Sequence, residues 1–153
     1  CITFETNGTQ AIAQDHRDWI TNGGCYNTPI FFSVSPKLWT VAGEKADKAI
    51  KPDVIADYWK VGEIINKGKR VGGQLKFVLG DKDEQWDEMQ EVIAKIKEAV
   101  GDRFNWPIYV MPVGAREEEQ VATAGEIAEK AFKLGYNVSA RVHVYLFGNK
   151  IGT

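Results

Sequence analysis

Three short polar stretches hold residues that could do chemistry: Glu5-Thr6-Asn7-Gly8-Thr9, Ser35-Pro36-Lys37 and Met111-Pro112-Val113-Gly114. Each lies at the end of an apolar, β-branched and aromatic run that reads as a strand: Cys1 to Thr6, Pro29 to Val34 and Pro107 to Met111. Proline has no amide donor and fixes its own φ, so Pro36 cannot continue a central ladder. If the strands are parallel, the three stretches stand at one rim. There backbone amides, hydroxyls and the Lys37 cation can converge on an anionic or ribose-bearing ligand. Each stretch alone is also ordinary turn chemistry, because Asn-Gly turns a chain and Ser-Pro ends a strand. Their recurrence at successive strand ends is what favours a site.

A fourth stretch, Arg141-Val142-His143-Val144-Tyr145, sits within a last strand expected from Val138 to Phe147. Its two-residue period puts Arg141, His143 and Tyr145 on one face, either a ligand-facing row or the solvated face of an outer strand. His16 lies among Asp15, Arg17 and Asp18 and reads as exposed. No Ser-His-Asp order, paired histidine ligands or P-loop occurs, so hydrolase, zinc and nucleoside-triphosphatase readings have no support. Cys1 and Cys25 match no metal-ligand spacing and read as ordinary thiols. The runs Lys67-Gly68-Lys69-Arg70 and Arg116-Glu117-Glu118-Glu119 are explained by helix ends, where cations favour the carboxyl terminus and carboxylates the amino terminus.

The elements that must position these residues follow from periodicity. Ala11 to Ile20 is a short, weakly amphipathic helical segment, and Thr21 to Thr28 is loop. From Pro52, the apolar residues Val54, Ile55, Tyr58, Trp59, Val61, Ile64 and Ile65 recur at three and four, predicting a helix that closes near Gly68. Gln74 to Leu79 is a strand, and Asp81 with Glu84 resembles a capping box. The following helix carries Trp86, Met89, Val92, Ile93, Ile96, Ala99 and Val100 on one side and ends at Gly101. A last long helix from Glu117 to Leu134 turns Val121, Ala124, Ile127, Ala128, Ala131 and Phe132 inward. Strands alternating with helices predict an α/β fold: a mainly parallel sheet of about five strands with flanking helices, over residues 1–153 as one domain. The strand at residues 1–6 would have an unpaired edge, so the sheet is either an open half barrel or covered there by a partner.

The 153 residues, 44% hydrophobic and 26% charged, suit one domain with a real core. A net charge of -2 argues against nucleic acid as the main partner and favours small molecules or proteins. No apolar run approaches the roughly 18 residues of a membrane span, and no charged-then-apolar leader precedes Cys1, so a cytoplasmic chain is expected. The chain opens on Cys1 and enters a strand at once, which reads as a piece of something longer.

Taken in order, "FETNGT", "VSPKL", "QLKFVL", a strand ending in a proline loop and "RVHVYLFGN" resemble the carboxy-terminal half of the 7-carboxy-7-deazaguanine synthase family. These are radical S-adenosylmethionine enzymes, grouped with the organic radical activating enzymes. The resemblance implies half of an incomplete (β/α) barrel, with S-adenosylmethionine held across the strand ends by Ser35, Pro36 and Lys37, and by Glu5, Thr6 and Asn7. Met111, Pro112, Val113 and Gly114 match a second cofactor loop in which the family often has Gln-Pro, so Met111 removes an amide. His143 is carried over only as a substrate candidate.

The resemblance further implies a [4Fe–4S] cluster, Mg2+, the substrate 6-carboxytetrahydropterin and a homodimer. The family's CxxxCxxC-like loop and its GGEP strand end do not occur in this sequence, so the chain by itself is expected to be inert. An activating enzyme acting on a protein glycine, or a non-catalytic α/β binding module, is the alternative.

Overall fold

A computed structural model describes residues 1–22, 28–67, 71–114 and 117–147. Five strands, β1 (Ile2–Thr6), β2 (Ile30–Val34), β3 (Gly73–Leu79), β4 (Ile108–Pro112) and β5 (Asn137–Val138), form one sheet in sequential order. Every neighbouring pair is parallel. Helix α1 (Gln14–Thr21) links β1 to β2. Two short helices, α2 (Trp39–Ala42) and α3 (Ala46–Ala49), precede α4 (Pro52–Asn66) on the way to β3, and α5 (Asp83–Val100) and α6 (Glu117–Lys133) complete the next two crossovers. The parallel α/β sheet with flanking helices is therefore as the alternation of elements predicts.

Right-handed crossovers that always step in the same direction put their helices on one face of a sheet. Register shows which residues meet them. Phe4 pairs with Phe32 and Phe32 with Gly73; Val34 pairs with Leu75 and Leu75 with Ile108; Phe77 pairs with Val110. Phe32, Val34, Leu75, Phe77, Ile108 and Val110 form the core with Ile55, Tyr58 and Trp59 of α4, and Trp86, Met89 and Ile96 of α5, and Phe4 packs against it. Phe32 stacks on Tyr58 at 4.8 Å between ring centroids and on Phe4 at 5.3 Å, which seats α4 over the first two strands. Gly73 is needed where it stands, because a Cβ there would come within 2.6 Å of the Trp106 ring.

Several expectations are corrected. The strand expected over 138–147 is two residues of β5 followed by a helix, α7 (Val142–Phe147). The ladder stops after Val138, once the Ser139 amide has donated to the Val110 carbonyl. A short apolar run such as "VHVYLF" satisfies either period, and β4, the strand it would have to pair with, ends at Pro112. In α6, Ile127 and Ala131 are buried as expected, but Val121 and Phe132 are 66% and 65% exposed. β5 is too short a wall to cover the whole stripe.

Ile64 of α4 is likewise exposed. The Asp81–Glu84 capping box does not form: α5 starts at Asp83 with Lys82 as its cap residue and no side-chain cap bond. Gln85 instead reaches back past the cap residue, its Oε1 accepting from the Gly80 amide at 2.6 Å. The left-handed residue closing α4 is Lys67, with φ of 51°; Gly68, expected there, lies outside the described residues, as do Cys25 and Gly148 to Thr153.

Candidate functional site

Because all five strands are parallel, their carboxyl ends meet one rim. That rim gathers Thr6-Asn7-Gly8, Ser35-Pro36-Lys37 and Pro112-Val113-Gly114, as the three polar stretches anticipate. Each turn is built by its own polar groups. The Thr6 hydroxyl accepts from the Gly8 amide at 3.1 Å, and Asn7 Oδ1 accepts from the Thr9 amide at 3.2 Å and from the Thr9 hydroxyl at 2.7 Å. The ladder continues one step past the strands, since the Ser35 amide donates to the Thr6 carbonyl at 2.8 Å and the Val113 amide to the Leu79 carbonyl at 2.7 Å. Arg141 Nη1 donates to the Gly114 carbonyl at 2.9 Å, so the segment after β5 is tied to the loop after β4.

Below the rim, the sheet face turned away from α4, α5 and α6 differs in chemistry. Parallel sheets with both faces covered have strands that are apolar throughout. Here the central strand β3 alternates buried and half-buried residues, and its second face carries Gln74, Lys76 and Val78. Register places Glu5 beside Ser33 and Ser33 beside Gln74 in one rung, and Lys76 beside Tyr109 in the next. Gln74 Nε2 donates to the Ser33 hydroxyl at 3.1 Å, and Lys76 Nζ lies 4.0 Å from Glu5 Oε1. Ser33 is buried, Lys76 three-quarters covered, and Glu5 largely exposed. A polar row thus runs across adjacent strands, one layer beneath the strand-end loops. Sequence reasoning passed over Ser33, Gln74 and Lys76. The signal for them was the alternation in "QLKFVL", where a central strand places Gln and Lys two residues apart.

Of the other predicted site residues, Met111 is half-buried on this same face, beside Val78. Pro112 is buried at the strand end and Val113 is 39% exposed. The strand expected to align Arg141, His143 and Tyr145 on one face is not formed. Positions 143 and 145 fall in α7 and not in a strand, so the two-residue period does not apply to them.

A pocket of about 230 Å3 opens on the helix side of β1, lined by Phe4, Ile12, His16, Ile20 and Tyr58; it touches the rim only at Glu5 and Thr6. The Tyr58 hydroxyl donates to the Gln10 carbonyl, and burial raises its pKa above the ordinary phenol value. Among the described residues no group of three or more His, Cys, Asp or Glu is placed to hold a metal ion. A thiolate-ligated cluster therefore does not fit on these residues; Cys1 is exposed and single.

The fold places the chain in a class: a parallel α/β sheet with flanking helices, its strand ends opening into three polar loops. Over 77 residues, half of this chain, the sequence is 32% identical to the 7-carboxy-7-deazaguanine synthase of Halobacterium salinarum (strain ATCC 29341 / DSM 671 / R1). The match spans 30% of that protein, so less than a third of the relative's length is represented. The likeness is partial on both sides and supports a relation to that enzyme family without assigning the chain to it. No family model matches the chain, and no solved structure matches it. Among the described residues no helix is long and apolar enough to cross a membrane.

Proposed function

We propose that the rim formed by Glu5 to Asn7, Ser35 to Lys37 and Met111 to Gly114 is the S-adenosylmethionine half-site of a radical enzyme related to 7-carboxy-7-deazaguanine synthase, and that this chain is the carboxy-terminal portion of its barrel. The observation that carries this reading is the convergence of the three strand-end stretches at one rim, above the polar row of Glu5, Ser33, Gln74 and Lys76. The partial likeness to the haloarchaeal synthase supports it.

On this reading the Lys37 ammonium and Ser35 hydroxyl pair with the carboxylate and ribose of the cofactor, and the Glu5 carboxylate accepts from its ammonium group. Met111 offers no amide, so one contact of the family's Gln-Pro loop is missing. The cluster that supplies the electron for cofactor cleavage would be held by residues that this sequence does not contain, and the chain alone is catalytically inert. The complete enzyme, a homodimer, would act on 6-carboxytetrahydropterin with Mg2+.

Calorimetry of S-adenosylmethionine with the purified chain tests the half-site. Saturable binding, weakened about tenfold or more in both Ser35→Ala and Lys37→Ala, is the expected result. Absence of binding, or binding indifferent to both substitutions, overturns it and favours a non-catalytic α/β module.

A further inference from the structure

The side chains of Glu88 and Gln85, on the first turns of α5, reach out of their own helix and hold the loops that follow β2 and β3. The Glu88 carboxylate accepts from the Trp39 amide at 2.7 Å, from the Thr40 amide at 2.9 Å and from the Thr40 hydroxyl at 2.6 Å. Those amides open α2 and have no partner within that helix, so a carboxylate across from them makes charge-assisted bonds. Gln85 is buried. Its Oε1 takes the Gly80 amide at 2.6 Å, and its Nε2 faces the Thr40 carbonyl at 3.5 Å.

The consequence falls on the intervening loop. Ser35 is fixed on one side, where its amide donates to the Thr6 carbonyl at 2.8 Å. Trp39 is fixed on the other by Glu88. Between them stand Pro36, with its own φ fixed by its ring, Lys37, and Leu38, which is 2% exposed. Lys37 is thus presented from a three-residue span anchored at both ends, and the far anchor includes a carboxylate some fifty positions later in the sequence.

We infer that Glu88 is a positioning residue for the Ser35–Lys37 loop. The inference rests on the cofactor reading of that loop. Glu88 touches no ligand in this role; it sets where Ser35 and Lys37 stand, which is how a site keeps its geometry without binding energy of its own.

Hydrogen exchange and S-adenosylmethionine calorimetry on the wild type, Glu88→Gln and Glu88→Ala separate the possibilities. In Glu88→Ala the amides of residues 39–42 should exchange about tenfold faster or more, and S-adenosylmethionine should bind about tenfold more weakly. Amides of β3 and the rest of α5 should keep wild-type protection, which reports that the fold is intact. Glu88→Gln keeps an acceptor oxygen and should recover part of both effects, and it serves as the test if the alanine variant does not fold. Unchanged exchange at residues 39–42 overturns the anchor. Unchanged affinity beside faster exchange overturns the positioning role alone. A wild type that does not bind S-adenosylmethionine overturns the cofactor reading, and with it the positioning role for that ligand.

Discussion

Gly8 is packed against Val34: a Cβ on Gly8 would come within 2.8 Å of Val34 Cγ1 and 3.0 Å of Ile55 Cγ1, and its φ of 79° is in the left-handed region. The turn after β1 thus bears directly on the end of β2 and on α4. Gly8→Ala meets both the steric and the conformational penalty, and is expected to lower stability by about 1–3 kcal/mol in urea unfolding. An unchanged unfolding midpoint would show that the turn relaxes freely.

Asn66, the last residue of α4, forms a two-way bond with the backbone of Ile30. Its Oδ1 accepts from the Ile30 amide at 3.2 Å and its Nδ2 donates to the Ile30 carbonyl at 2.9 Å. Both residues are buried, so Asn66→Ala leaves two backbone groups without partners and should cost about 2–5 kcal/mol. Asn66→Asp keeps the acceptor and loses the donor; it should also destabilise at neutral pH. Measurement is again by denaturant titration.

Burial raises the pKa of Tyr58, and of Tyr136, above the ordinary phenol value. The folded chain therefore keeps these protons where the unfolded chain has begun to lose them. Their contribution is fully present below a pH of about 10 and is lost as the pH climbs through the raised values. Unfolding free energies measured from pH 9 to 11.5 should fall across that window, and less steeply in Tyr58→Phe. That variant also loses the bond to the Gln10 carbonyl, so its stability at pH 8 should already be lower. An equally steep alkaline fall in Tyr58→Phe would contradict the assignment.

The two sides of α6 should respond oppositely to truncation. Ile127 is 1% exposed, and Ile127→Ala should cost about 2–5 kcal/mol. Val121→Ser and Phe132→Ser remove exposed side chains and should change stability by no more than about 0.5 kcal/mol. A large loss at Phe132 would mean that another surface covers it in solution.

The sequence by itself determined the parallel α/β class, the helix from Pro52, the helix closing at Gly101, and the three polar stretches at strand ends. These follow from local physics: apolar spacing chooses helix or strand, and glycine and proline mark where each stops. Tertiary structure decided what local pattern leaves undetermined. Val142, Val144 and Leu146 alternate as a strand would, yet lie in a helix, because β4, the strand that β5 pairs with, ends at Pro112. Val121 and Phe132 share the spacing of Ile127, but only a wall of sufficient length buries a stripe.

Nothing near Glu88 in sequence marks it as the anchor of a loop ending at Thr40, and Gln74 and Lys76 become a polar floor only when register sets them beside Ser33, Glu5 and Tyr109. Periodicity says which residues share a face. Which faces are covered, and which residues far apart in sequence meet across them, depends on how the whole sheet is filled.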